Sequence, residues 1–449
     1  MGAPRAADAG EYLTVAEERL VWKLDLMICP IFFLINFASI LDRSNIGNVF
    51  FVPYILFEIP SNLVVKCVRP SYYLSGLIFF WGIVVICEGF VNSYKSLIAL
   101  RFLLGALEAG IFPGIAYVTS MYYKRFEYQR RLTVIWSSVI LANAFGGRTD
   151  HPTLGSFWHT QSRISTAIMG MQLGDEGAIT AFFGTIAVFW IPDWPEQNNY
   201  LSLADKEMVR QRLLSDQPAE EDNELDFHKL RAILFDWKIW ISAFNAFGGI
   251  VTAYSMTLFL PTILNEFGWS AVEVQLHTIP VWAVAFLVAL LVSWASDRLQ
   301  HRSLFILALS VPPTIGYAIL LRQDDFSRRA QYAATFLVVL GTPVVPVVFA
   351  WALNNLRGHW GRAVGSALIN SVGNGGGIVA ANVYLARASP RYYAGYGTAL
   401  ACVWLTGVGT IVMAVAMYLA NRARRRAERN GLPETEQPHG TGHALEYTL

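Results

Sequence analysis

Charged residues are scarce in this chain. They make up 15% of its 449 residues, against roughly 25% in a soluble globular domain. Hydrophobic residues make up 54% and the mean hydropathy is +0.40. That apolar excess excludes soluble, disordered and collagen-like chains. Neither sign of charge prevails, and a net charge of +1 implies no nucleic-acid partner. Cysteine is rare: Cys29, Cys67, Cys87 and Cys402 all lie in apolar stretches, which excludes a disulfide framework or a metal site. The eight histidines are scattered, with no His-Glu-x-x-His and no Cys/His cluster. There is no Gly-x-x-x-x-Gly-Lys phosphate loop and no nucleophile elbow. The glycine run at 373–378 lacks the last glycine of the dinucleotide fingerprint and sits in an apolar stretch. Neither an enzyme nor a cofactor is expected.

What the chain has instead is long apolar runs. A membrane-spanning helix needs about 20 mostly apolar residues. Runs fall at 22–41, 49–68, 73–91, 97–123 and 132–147, with a short one at 178–192. After a polar break at 193–236 come 237–264, 276–296, 304–321, 332–353, 363–386 and 397–420. The fold expected is therefore an all-α polytopic membrane protein with six helices on each side of the break. The divisions are an N-terminal tail 1–21, a six-helix bundle 22–192, a central loop 193–236, a second bundle 237–420 and a C-terminal tail 421–449. The polar, partly acidic start reads as a tail, not a cleaved leader. The central loop is read as carrying one short helix near 203–214. The Lys and Arg excess in alternate loops puts both termini and the central loop in the cytosol. Two six-helix halves with a charged middle loop are the plan of transporters that rock around a midplane site.

Polar residues inside apolar runs are costly, so they carry the functional signal. Arg101 and Glu108 share a run and stand seven residues apart. That is almost two helical turns, so they share a face, with Gly105 between them permitting close helix approach. A structural ion pair with another helix is the competing reading. Asp42 and Arg43 close the first run, either as a site or as its wetted end. Glu58 stands in the second run and reads as structural. Asp297 and Arg298 end the eighth run, where such residues clamp or release a neighbour as gating groups, or simply anchor the cytosolic end. Asn374 lies beside Gly375, Gly376 and Gly377 in the eleventh run, where backbone comes close to a ligand or to another helix.

The words Leu-Asp-Arg-Ser-Asn-Ile-Gly-Asn (41–48), Phe-Phe-Val-Pro-Tyr-Ile-Leu-Phe-Glu-Ile-Pro-Ser-Asn-Leu (50–63) and Arg-Phe-Leu-Leu-Gly-x-x-Glu-Ala-Gly-x-Phe-Pro-Gly (101–114) carry a resemblance. So do Ile-Pro-Asp-Trp-Pro-Glu (191–196), Trp-Ala-Leu-Asn-Asn-x-x-Gly-His-x-x-Arg-Ala-x-Gly (351–365) and Gly-Asn-x-Gly-Gly-Ile (373–378). Together they resemble the fungal allantoate permease group, within the anion:cation symporter family of the major facilitator superfamily. The resemblance implies proton-coupled uptake of a small organic anion such as allantoate, nicotinate or pantothenate across a plasma membrane. It implies a lipid-embedded chain working as a monomer, with no metal. It also implies roles. Arg43 is the carboxylate anchor, since a guanidinium grips a carboxylate through two hydrogen bonds. Asp42 and Glu108 are the proton-coupling acids, and Arg101 lines the cavity and tunes them. Asn374, Tyr254 and Trp351 supply hydrogen bonds and the cavity wall.

Two departures stand out. Members of that group carry an outward loop and the start of helix two between the Asn-Ile-Gly-Asn word and Phe-Phe-Val-Pro; here Asn48 meets Val49 and Phe50 at once. After Gly147 a polar stretch at 148–177 replaces the expected apolar one. These leave open a non-transporting membrane sensor, or an inactive product of a faulty gene model.

Overall fold

The computed structural model describes residues 6–42, 48–91, 93–146, 163–216, 226–356, 358–384, 391–430 and 447–448. Arg43 lies outside them, and of Asp42 only the helical backbone is described.

The first half consists of α1 (Ala6–Asp42), α2 (Asn48–Cys67), α3 (Pro70–Gly89), α4 (Tyr94–Glu108), α5 (Ile111–Ser120), α6 (Arg125–Gly146) and α7 (Arg163–Trp190). Two short helices follow in the polar break, α8 (Leu203–Asp216) and α9 (Phe227–Leu234). The second half consists of α10 (Trp237–Asn265), α11 (Ala271–Leu299), α12 (Arg302–Leu321), α13 (Arg328–Val339), α14 (Val344–Asn355), α15 (Gly358–Val383) and α16 (Tyr393–Arg429). Among the described residues, nine spans are long and apolar enough to cross a membrane. Three more helices, α6, α7 and α15, have 22, 28 and 26 residues, enough to cross by length.

Three sequence expectations are revised. The runs at 97–123 and 332–353 are each two helices, not one. The sixth run is not short, because its helix starts at Arg163, inside the polar stretch. The break at 193–236 holds two helices rather than one. Proline explains the first revision. Pro113 lacks the N–H that would reach the carbonyl four residues back, so the chain turns before it and restarts at Ile111. Pro343 stands as N-cap of α14, with Pro346 in its first turn.

Small residues set the closest helix contacts. A Cβ on Gly82 of α3 would lie 2.3 Å from the backbone nitrogen of Ala181 on α7, and one on Gly184 would lie 2.6 Å from that of Phe79. This is glycine-mediated backbone approach, the usual way helices associate where lipid gives no hydrophobic drive. Gly105 does the same between α4 and α2, where a Cβ would stand 2.3 Å from the Phe50 carbonyl.

The polar break is fastened to the first half. Arg212 of α8 donates to Glu17 of α1 at 2.6 Å and to Glu127 of α6 at 2.7 Å. Lys23 bonds Asp205 at 2.7 Å, and that bond holds the Asp205 carboxyl below its usual range. Arg131 of α6 grips Asp25 of α1 through Nε and Nη2 at 2.8 and 2.9 Å. These charges all cluster at the end of the bundle where α8 lies, called the linker end below.

Candidate functional site at the helix breaks

The two broken spans hold the same place, fourth in each half. Glycine- or proline-interrupted spans in corresponding positions point to the substrate site of a two-fold transporter. Glu108 is the last residue of α4 and is fully buried. Ser39 of α1 donates its hydroxyl to the Glu108 carboxyl. One turn from Ser39, the Asn36 amide donates to Ser138 Oγ of α6 at 3.0 Å. Just past the break, Phe112 of α5 packs edge-on against Trp136 of α6 at 5.1 Å and against Phe349 of α14 at 5.4 Å. A buried carboxyl and a few hydroxyls and amides thus sit above an aromatic floor shared by both halves.

Below that floor, toward the linker end, every residue of α5 and α14 is buried. Asn62 of α2 donates to the Ala363 carbonyl and to Ser366 Oγ of α15, at 2.7 and 3.1 Å. Arg362 of α15 donates to the Ser120 carbonyl at 3.3 Å. Asp297 of α11 accepts from the Arg130 backbone at 3.0 Å, and Ser296 donates to Gln129 at 3.0 Å. The fully buried Arg302 faces Asp297 at 3.5 Å. Asp297 therefore bridges the halves. Arg298 instead is exposed and lies 5.3 Å from the Trp294 ring of its own helix. Arg302, rather than Arg298, is the cation that Asp297 meets.

At the opposite end the halves also touch. Phe51 of α2 meets Tyr254 of α10 edge-on at 5.4 Å. Asn143 of α6 donates to Thr257 of α10 at 3.0 Å. Ser371 of α15 donates to the Ile55 carbonyl at 2.8 Å. Asn374 is buried, and its amide bonds the Asn370 carbonyl one turn back on its own helix, at 3.0 Å.

Two expected site residues find partners the sequence did not foretell. Arg101 pairs with Glu88, in the last turn of α3, at 3.1 Å. The sequence reading set Arg101 beside Glu108 and passed over Glu88. The signal was there: a lone glutamate closing an apolar run, one short turn before the helix that carries Arg101. Trp351 is fully buried, and its indole N–H donates to the Thr448 carbonyl at 2.8 Å. Asn355 and Asn421 bond the same tail segment, with Asn355 accepting from the Thr448 backbone and Asn421 from that of Tyr447, both at 2.9 Å. Among the described residues no group of three or more His, Cys, Asp and Glu is placed to hold a metal.

Comparison with known proteins agrees with this architecture. An uncharacterised transporter of Schizosaccharomyces pombe is 30% identical over 91% of this chain and 85% of its own length. The high-affinity nicotinic acid transporter of Saccharomyces cerevisiae is 27% identical over 94% of this chain and 82% of its own. Among solved structures, the E. coli fucose:proton symporter superposes with a TM-score of 0.64 at 14% identity, over 87% of this chain and 98% of that one. The human organic anion transporter MFSD10 superposes at 0.54 and 11% identity, over 85% of this chain and 99% of that one. The likeness of these two structures is one of fold. The Major Facilitator Superfamily description matches residues 27–381, most of both halves. The chain is thus an integral membrane transporter of the Major Facilitator Superfamily.

Proposed function

We propose that this transporter is a member of the allantoate permease group that takes up a small organic anion, a carboxylate of the allantoate, nicotinate or pantothenate class, together with protons. It works as a monomer in the plasma membrane by alternating access, with both termini and the central loop in the cytosol. The observation that carries the reading is Glu108, a fully buried carboxyl at the break of the fourth span, where a titrating group can be presented to each side in turn. Arg101 is the buried cation nearby in sequence, and cations at membrane depth call for anionic partners. The resemblance assigns Arg43 as a second carboxylate grip and Asp42 as a second acid. Tyr254 meets Phe51 of the first half and suits the cavity wall, as does Asn374, buried on α15. The relative that transports nicotinic acid supports the substrate class.

The test is uptake of labelled carboxylates into cells at two external pH values, with competition by each acid and its neutral amide. The amide is expected to bind at least about tenfold more weakly, about 1.4 kcal/mol. Equal inhibition by acid and amide refutes the anion reading.

A further inference from the structure

The Glu88–Arg101 pair is the least expected feature of the first half. Both side chains are buried, with relative exposures of 6% and 8%. They meet at 3.1 Å through one oxygen and one terminal nitrogen. The other carboxylate oxygen, Glu88 Oε1, and Arg101 Nε are buried without a hydrogen-bond partner. An arginine and a carboxylate that served only to brace two helices would normally use the two-bond fork. Here each partner keeps one group unspent. Glu88 also lies in the last turn of α3, where the helix dipole opposes a negative side chain. Its charge is supported by Arg101 and by little else on its own helix.

We propose that Glu88 is the proton-sensitive keeper of Arg101. In the empty carrier Glu88 occupies the guanidinium, and its protonation releases Arg101 to an incoming substrate carboxylate. A proton from solvent adds to the Glu88 carboxylate and gives a neutral acid. The ion pair to Arg101 breaks, and the substrate carboxylate forms a new one, so no net charge is added to the buried site. Binding of proton and anion are thereby linked through one cation. Glu88 is a positioning residue acting through Arg101, and this inference rests on the carboxylate reading above.

Other charged groups around the pair are few. On α4, Lys95 is exposed, and Glu108, two turns beyond Arg101 on the same face, is fully buried. On α7, which lays Gly177 against Ile86 of α3, Asp175 and Glu176 are exposed. On α2, the next helix beside α4, Glu58 is buried. α5 carries no charged side chain.

The experiment uses the full chain in proteoliposomes with labelled nicotinate as probe, between external pH 6 and pH 8. In the wild type the KM is expected to rise about tenfold from pH 6 to pH 8. Glu88→Gln, permanently neutral, should keep the low KM at both values, with a change under about twofold. Glu88→Asp should restore the pH dependence, and Asp175→Asn and Glu176→Gln should leave it as in wild type. A brace without a proton role would alter expression or kcat, not flatten a KM profile. Infrared titration of the substrate-free protein adds a readout that needs no transport: a protonated-carboxyl band, absent in Glu88→Gln, should grow as pH falls, and its midpoint should move in Arg101→Gln. A KM profile in Glu88→Gln equal to wild type overturns the proposal, as does a Glu88 band that ignores pH or the Arg101 substitution. If wild-type protein takes up no carboxylate, the reading of function fails instead, and the infrared result separates the two failures.

Discussion

At the residue scale, the proposed coupling role of Glu108 can be tested apart from its part in stability. Its carboxyl is fully buried and takes the Ser39 hydroxyl as donor. A hydrogen bond to a charged or acidic group contributes about 1.5–3 kcal/mol. Ser39→Ala removes only that donor, so it should lower thermal stability in detergent by about 1–3 kcal/mol while leaving pH-driven accumulation in place. Glu108→Gln keeps a hydrogen-bonding group of the same shape but cannot release a proton. It should abolish concentrative uptake yet retain exchange of labelled against unlabelled substrate. A Glu108→Gln carrier that still concentrates substrate would show that another group does the coupling. How far these residues were legible follows from periodicity. Seven residues place Arg101 and Glu108 on one face, and spacing says no more than that. Which helix each one meets depends on the packing of α1 and α3 around α4, and no local pattern encodes it. Ser39 was therefore invisible as a partner, whereas Glu88, a lone glutamate closing an apolar run, was an available signal.

At the scale of elements, hydropathy located the spanning helices among the described residues, missed the helix Phe227–Leu234 in the polar break, and smoothed over the interruptions of the spans. A window about 19 residues wide averages across Ala109–Gly110 and across Gly341–Pro343 because both breaks are themselves apolar. Pro113 and Pro343 were the available signals, and proline is common enough in spanning helices to pass unremarked. The tightest packing, α3 on α7, is open to a direct test. A Cβ on Gly82 would stand 2.3 Å from Ala181 backbone, whereas Gly76, on the same helix, has nothing within 4 Å. Overpacking costs typically about 1–3 kcal/mol, and here the obstacle is backbone, which cannot rotate away. Gly82→Leu should thus lower the unfolding temperature markedly and reduce surface expression. Gly76→Ala should be neutral or gain up to about 1 kcal/mol, because it only reduces the freedom of the unfolded chain. Equal behaviour of the two variants would mean that α3 and α7 do not pack along the Gly82 face.

At the scale of the whole molecule, the halves touch on both sides of the aromatic floor at once. Asn62 bonds Ser366 at 3.1 Å toward the linker end, and Asn143 bonds Thr257 at 3.0 Å toward the other. A carrier that works by rocking must break one set to admit substrate and the other to release it. The Asn62–Ser366 and Asn143–Thr257 bonds are neutral, each worth about 0.5–1.5 kcal/mol net, while the linker-end set also holds the Arg362–Ser120 and Asp297–Arg130 bonds, in which one partner is charged. A covalent bridge does not open. In a background without Cys29, Cys67, Cys87 and Cys402, the pair Asn62→Cys with Ser366→Cys, bridged by a short bis-thiosulfonate reagent, should stop uptake at one step. The pair Asn143→Cys with Thr257→Cys should stop it at the opposite step, and reductant should restore both. The two arrests differ in what the trapped carrier still does. Bridged at the linker end, it should bind labelled carboxylate from outside without releasing it inward. Bridged at the other end, it should bind only from the cytosolic side in inside-out vesicles. A bridged carrier that turns over at its unbridged rate would show that the halves do not part at that contact, and would rule out rocking about the helix breaks as the route through the membrane.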